Sequence, residues 1–148
     1  MKTSKFFLPL IALFFFISTV SSFAQSTVSF SFIANFSSTN ALLGEEEYTI
    51  TFYGASGEIV ESKAFNTYQG NEVFFDIPTG YYSKIEVYSP STIGYLYPYS
   101  DLEIYIGGVS SNQGSDDQNI RIFNGDTMKV TNINIIEEMN PQLSIIAL

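Results

Sequence analysis

From Thr27 onward, apolar and polar residues alternate with period two, and no segment sustains a helical spacing. Thr27 to Phe36 puts Phe30, Phe32, Ala34 and Phe36 on one face and Ser29, Ser31 and Asn35 on the other. Tyr48 to Tyr53 sets Tyr48, Ile50 and Phe52 against Thr49 and Thr51. Glu58 to Phe65 alternates more weakly, with Glu61 and Lys63 marking a solvated side. Strand patterns follow at Glu72 to Ile77, Tyr82 to Ser89, Leu102 to Ile106, Asn119 to Phe123 and Met128 to Ile136. Short strands bounded by turns predict an all-β fold, an antiparallel sandwich or barrel of about seven or eight strands.

The turns have mechanisms of their own. Gly54-Ala55-Ser56-Gly57 reads as a hairpin loop, because glycine takes positive φ without penalty. Asn124-Gly125 is a strong hairpin signal between Ile122 and Met128. Met128 and Val130 lie in one phase, whereas Ile133 and Ile135 lie in the other, so a bulge is expected near Thr131-Asn132. Two stretches resist a strand reading. Ser37 to Glu47 reads as a loop ending in a solvated glutamate run, and Gly107 to Gln118 as a polar loop. Neither a repeat nor a linker divides the chain.

Phe74 to Val87, "FFDIPTGYYSKIEV", holds the most specific local pattern. Pro78 presets φ near −65°, Gly80 can follow in a left-handed conformation, and Ile77 and Tyr82 flank the turn as core residues. By itself this reads as a good hairpin. Together with the preceding "YTITFYGASGEIV" it resembles the prealbumin-like sandwiches, namely the carboxypeptidase regulatory-like, transthyretin-like and Cna-B-like domains. Phe74, Ile77, Pro78, Gly80 and Tyr82 occupy the positions of their Phe-x-x-Leu-Pro-x-Gly-x-Tyr corner. The likeness spans Tyr48 to Val87. It departs from the pattern after the tyrosine, where Lys84 and Glu86 hold the in-phase places, so it fits only with a bulge after Tyr82. It implies an Ig-like, prealbumin-like β-sandwich and a non-catalytic accessory, adhesive or structural module. No catalytic residue carries over.

The first residues read as a leader rather than part of the fold. Lys2 and Lys5 precede an apolar run from Phe6 to Val20, and Ser22-Phe23-Ala24 follows as a small-x-small cleavage site. The run is shorter than the ~20 residues of a spanning helix. A signal peptide of residues 1–24 is expected, followed by a single domain of residues 25–148 that is secreted to the periplasm or exterior. The formal net charge of −9 becomes −11 once Lys2 and Lys5 leave with the leader. Such a chain repels nucleic acid and anionic membranes. Composition and leader together read as an exported bacterial protein.

The inventory narrows the chemistry further. There is no cysteine and no histidine, which removes the thiol nucleophile, the commonest general base and the ordinary zinc ligands. The lysines left after the leader, Lys63, Lys84 and Lys129, form no S-x-x-K arrangement. Asp101 and Glu103 share a strand face but read as solvated charges rather than a glycosidase pair. Asp116-Asp117, with Asn112 and Asn119, could present oxygens to Ca²⁺, but the spacing fits no EF-hand loop and reads as a solvated polar loop. The expectation is a non-enzyme with no catalytic residues, no metal and no cofactor. One anomaly is aromatic: Tyr95, Tyr97, Tyr99 and Tyr105 crowd "YLYPYSDLEIY", flanked by Asp101 and Glu103. Alternate tyrosines on a strand would share one face, although Pro98 argues against an inner strand. The rings either fill a core or present a ligand surface for a protein partner or a carbohydrate. The functional reading is therefore a structural, adhesive or interaction protein, with a small carbohydrate-binding module as the alternative. The other anomaly is the apolar end, "NPQLSIIAL". Left exposed it would aggregate, so it should pack on the domain or pair with a sheet edge, its own or a neighbour's.

Overall fold

The computed structural model describes residues 25–36, 44–96, 102–108, 110–111, 118–119, 123–124 and 127–147. Eight strands longer than two residues carry the architecture: β1 (Thr27–Asn35), β2 (Glu45–Tyr53), β3 (Ile59–Tyr68), β4 (Glu72–Pro78), β5 (Gly80–Tyr88), β6 (Leu102–Gly107), β10 (Thr127–Ile135) and β11 (Gln142–Ala147). Three two-residue strands lie between β6 and β10: β7 (Ser110–Ser111), β8 (Gln118–Asn119) and β9 (Phe123–Asn124). Sheet I has the order β4-β1-β11-β6-β8 and sheet II the order β3-β2-β5-β10-β7, with β9 also on β10. Every pairing is antiparallel except that of β1 with β11. The protein is a β-sandwich, as the alternation predicts.

The inner faces follow the period-two pattern. Val28, Phe30, Phe32 and Ala34 of β1 are buried, as are Tyr48, Ile50 and Phe52 of β2. The core has two chemically different halves. Under β4 and β1 it is aromatic. Phe30 meets Phe52 edge-on at 5.2 Å, stacks on Phe75 at 5.3 Å, and Phe32 lies 4.9 Å from Tyr48. Edge and offset ring pairs add to what area burial alone provides. Under β11 and β6 it is aliphatic: Leu102, Ile104, Ile106, Leu143 and Ile145 lie buried with Met128, Val130, Ile133 and Ile135 of the facing strand. Among the described residues, 24 buried apolar side chains form one continuous cluster across both halves.

The Pro-Thr-Gly turn is a corner rather than a hairpin. β4 belongs to sheet I and β5 to sheet II, so Pro78-Thr79-Gly80 carries the chain from one sheet to the other. A hairpin would have paired β4 with β5, but β4 finds its partner in β1. Gly80, with φ of 150°, takes a conformation that favours glycine. The buried Tyr82 hydroxyl donates to the Pro78 carbonyl and clasps the corner. Chain residues 25–26 pin it from outside: Thr79 N donates to Ser26 O at 2.8 Å, and Gln25 Nε2 to Thr79 O at 2.8 Å.

Beyond the corner the burial phase reverses. Tyr82 is buried, then Ile85 and Val87, so Ser83 and Lys84 lie at the switch. The partner strand reverses at the same level, from Met128 and Val130 to Ile133 and Ile135. Asn132, with φ of 59°, sits at that point in the left-handed region that asparagine tolerates. Val130 pairs with Ile85 and Ile133 with Tyr82, so both strands gain one residue together and the register is kept. This is the irregularity expected near Thr131-Asn132 and after Tyr82. It explains Lys84 and Glu86, which it turns to the outer face.

Three sequence expectations are corrected. Glu45-Glu46-Glu47 is not loop but the start of β2, paired with residues 66–68 of the long β3, because ladder bonds are indifferent to side-chain charge. Glu61 and Lys63 face inward at the open margin of the sandwich, opposite the buried Phe52 and Ile50. The segment Pro90–Leu96 is a helix, α1, where no helical spacing is expected. Ser89 caps it, its hydroxyl 3.4 Å from Thr92 N, Pro90 occupies the first helical position, and Ile93 and Leu96 are buried. The apolar end packs on the domain, as expected, and does so as an inner strand rather than at an edge: β11 lies inside sheet I, between β1 and β6. The expected hairpins do form. β2 and β3 pair around Gly54–Gly57, and Phe123–Asn124 pairs with Thr127–Met128.

Two predictions follow from this packing. Because β11 joins both halves of sheet I, removing residues 141–148 should abolish the cooperative urea transition, and Ile145→Ala should cost about 2–5 kcal/mol. A truncated chain that still unfolds cooperatively would show β11 to be dispensable. The second concerns alkali. Burial pushes the Tyr48 phenol up to about 12, against a smaller lowering by its bond to Thr92, and burial pushes Tyr82 up to about 12, with Glu61 adding to the rise. A folded-state pKa above the unfolded value of about 10 favours the neutral phenol in the fold. This stabilisation is complete below pH 10 and is lost as pH rises toward 12. Melting temperature should therefore fall across that window, and less steeply in Tyr48→Phe and Tyr82→Phe. Parallel curves for all three proteins would refute the assignment.

Candidate functional site

The outer faces of the two sheets differ in how their polar groups are employed. On sheet II, Lys84 Nζ lies 2.7 Å from Glu86 Oε1 and 3.8 Å from the centre of the Tyr53 ring. Partial burial opposes ionisation of Glu86, but its bonds to Lys84 and Tyr53 outweigh this and lower its pKa. The same carboxylate, accepting the Tyr53 hydroxyl, raises the phenol's pKa. That face satisfies itself.

Sheet I presents a notch. Its floor is the outer face of β1, where Ser29 and Ser31 alternate with the buried phenylalanines. On one side stands Phe74 of β4, paired with Ser31 and 62% exposed. On the other stand Asn140, Pro141 and Gln142, where the chain enters β11, and Gln142 pairs with Ser31 from the far side. Glu72 completes the lining, and the hollow has a volume of about 360 Å³. Small side chains on the floor make the hollow; larger ones there would fill it.

The walls are fixed by the backbone. Ser31 N donates to Pro141 O at 2.9 Å. Gly108, at φ of 67°, allows close approach of the Asn140 segment, because a Cβ there would stand 2.5 Å from Asn140 O. Across the notch Gln142 Nε2 donates to Glu72 Oε1 at 2.8 Å, which orients both side chains. Ser31 is only 6% exposed, and its hydroxyl has no hydrogen-bond partner among the described residues.

A second hollow of about 350 Å³ lies at the corner, lined by residues including Gln25, Glu58, Thr79 and Tyr81. Its polar groups are already committed. Glu58 accepts from Ser56 Oγ at 2.6 Å, which lowers its pKa, and the Tyr81 hydroxyl donates to Asn132 Oδ1 at 2.7 Å.

The tyrosine cluster is brought together only in part. Tyr105 and Glu103 lie on β6 on the outer face of sheet I, opposite Ser144 and Ile146 of β11, and both are half-buried. Tyr95 belongs to α1, whose helical spacing separates it from the in-line arrangement a strand would make. Tyr97, Tyr99 and Asp101 lie outside the described residues, as do Asp116 and Asp117. Among the described residues, no cluster of three or more acidic side chains is placed to hold a metal ion. No helix among them is long and apolar enough to cross a membrane.

The sequence reading assigns no role to the notch, although one signal for it was present. In "EVFFDIP" Val73, Phe75 and Ile77 share the apolar parity, while Phe74 falls with Glu72 and Asp76 on the polar one. A large aromatic on the polar parity of an amphipathic strand marks an exposed ring.

No protein-family model matches this sequence, and no curated protein matches it. Among solved structures the chain is similar to a pilus-presented adhesin, Cpa, at 13% identity and a TM-score of 0.44, over 82% of this chain. The chain spans 27% of that adhesin's length.

Proposed function

We propose that the chain is an exported, non-catalytic β-sandwich of the prealbumin-like kind, with a structural or adhesive role that it exerts by holding a partner on the outer face of sheet I. One observation carries this reading. The notch on the outer face of sheet I combines an exposed aromatic ring, amides and small hydroxyls with a single carboxylate, Glu72. That composition binds and orients; it has little with which to move protons. Asp76 is the nearest other acid along the same strand face, four residues on, or roughly 13 Å at strand rise. Paired glycosidase carboxylates stand about 5–9.5 Å apart. The absence of histidine and cysteine from the whole sequence points the same way.

A second reading keeps the carbohydrate-binding alternative and its tyrosines. Tyr105 and Glu103 share the outer face with the notch, three strands from Phe74 or roughly 14 Å away. The sequence groups Tyr95, Tyr97, Tyr99 and Asp101 with them in this reading.

The test begins with export. Intact mass of the exported protein should correspond to a chain starting at Gln25. Cells lacking the protein should attach less well to surfaces, and added mature protein should restore attachment. The purified protein should leave ester, peptide and glycoside substrates unconverted. Retention of residues 1–24, normal attachment without the protein, or turnover of any of these substrates would each count against the proposal.

A further inference from the structure

We infer that the notch between β4 and β11 is a subsite for one ring of a neutral polysaccharide chain. This deepens the partner-holding role proposed above and rests on it. A pyranose ring has a weakly apolar C–H face and a rim of hydroxyl groups, and the notch offers a match to each. Phe74, 62% exposed, presents a flat apolar ring at one wall, and an aromatic with two side-chain torsions loses little freedom on stacking. The rim would meet the opposite wall. Phe74 and Gln142 stand on strands flanking β1, about 10 Å apart, leaving room for one ring laid against Phe74.

The polar groups suit a ligand rich in hydroxyls. Gln142 Nε2 gives one N–H to Glu72 Oε1, which leaves its second N–H to donate and the Gln142 amide oxygen and the second Glu72 oxygen to accept hydroxyl protons. The Ser31 hydroxyl lies at the floor, more than nine-tenths buried and without a partner among the described residues. A buried polar group of that kind is stabilised by a ligand hydroxyl or water. The volume of about 360 Å³ falls at the small end of ligand pockets. Charge selects among saccharides. Glu72 within the notch and the chain's formal charge of −9 disfavour uronates, sulfated glycans and phosphates.

The experiment is a titration of isotope-labelled residues 25–148 with cellohexaose, xylohexaose, mannohexaose, laminarihexaose and chitohexaose, with hexagalacturonate as the acidic comparison. At least one neutral oligomer should shift the amides of Ser29, Ser31, Phe74 and Gln142, and hexagalacturonate should not. Phe74→Ala should weaken that binding about thirtyfold with the melting temperature unchanged. Ser29→Trp, on an exposed floor position, should block it. The subsite is overturned by silence with all neutral oligomers, by binding that both variants retain, or by preference for the acidic one. Silence leaves the non-catalytic reading standing. New reducing ends during the titration would sink that reading while leaving the subsite in place.

Discussion

The structure depends on one pairing, that of the last strand with the first. β11 lies parallel to β1 and antiparallel to β6, so a single apolar segment bonds two parts of the chain that no local turn connects. Without it sheet I would separate into β4-β1 on one side and β6-β8 on the other. Leu143 and Ile145 would then leave the aliphatic half of the core. The pairing also explains the chain's composition at its end. A strand in the middle of a sheet can be apolar on its inner face and nearly featureless outside, because neighbours cover both of its edges.

The notch is a consequence of the same pairing. β1 contributes only serines to the floor, and the hollow exists because β4 and the entry to β11 rise on either side of it. The Ser31 to Pro141 backbone bond and the close approach at Gly108 hold that entry in place. A site supported by ladder bonds on both sides is more rigid than one carried on a loop. On the outer face of sheet II, Lys84, Glu86 and Tyr53 instead consume one another's charge and hydrogen-bonding capacity.

The margins of the sandwich are defended differently. β3 is a ten-residue edge strand, a length that invites pairing with another chain. Its inner face there carries Glu61 and Lys63, whose charged groups approach to 3.6 Å at the rim. A strand docking against that edge would extend the sheet past a pair of charges facing the wrong side. Inward-facing charge of this sort is a known guard against edge-to-edge association, and it directs attention to the face of sheet I rather than to its borders.

The sequence by itself determined the fold class, most strand positions and the inner face of most strands. Burying Phe30, Phe32, Ile50 and Phe52 requires period-two alternation, and that requirement is written locally. The phase slips were legible for the same reason. Met128 and Val130 disagree with Ile133 and Ile135 in the sequence itself, and the mismatch at Lys84 and Glu86 is its counterpart on the partner strand. Even Phe74 announced its exposure by parity. Only the tertiary structure decided which strands are neighbours. Whether Pro78-Thr79-Gly80 makes a hairpin or a corner depends on whether β4 finds a better partner in β5 or β1, and the turn residues suit both. The short helix at Pro90–Leu96 is fixed by what Ile93 and Leu96 bury against, a contact the segment's own periodicity is too short to reveal. The notch is formed by strands β1, β4 and β11, whose paired residues Ser31, Phe74 and Gln142 are far apart along the chain. Their proximity is a property of sheet order, which long-range burial sets and local pattern does not encode.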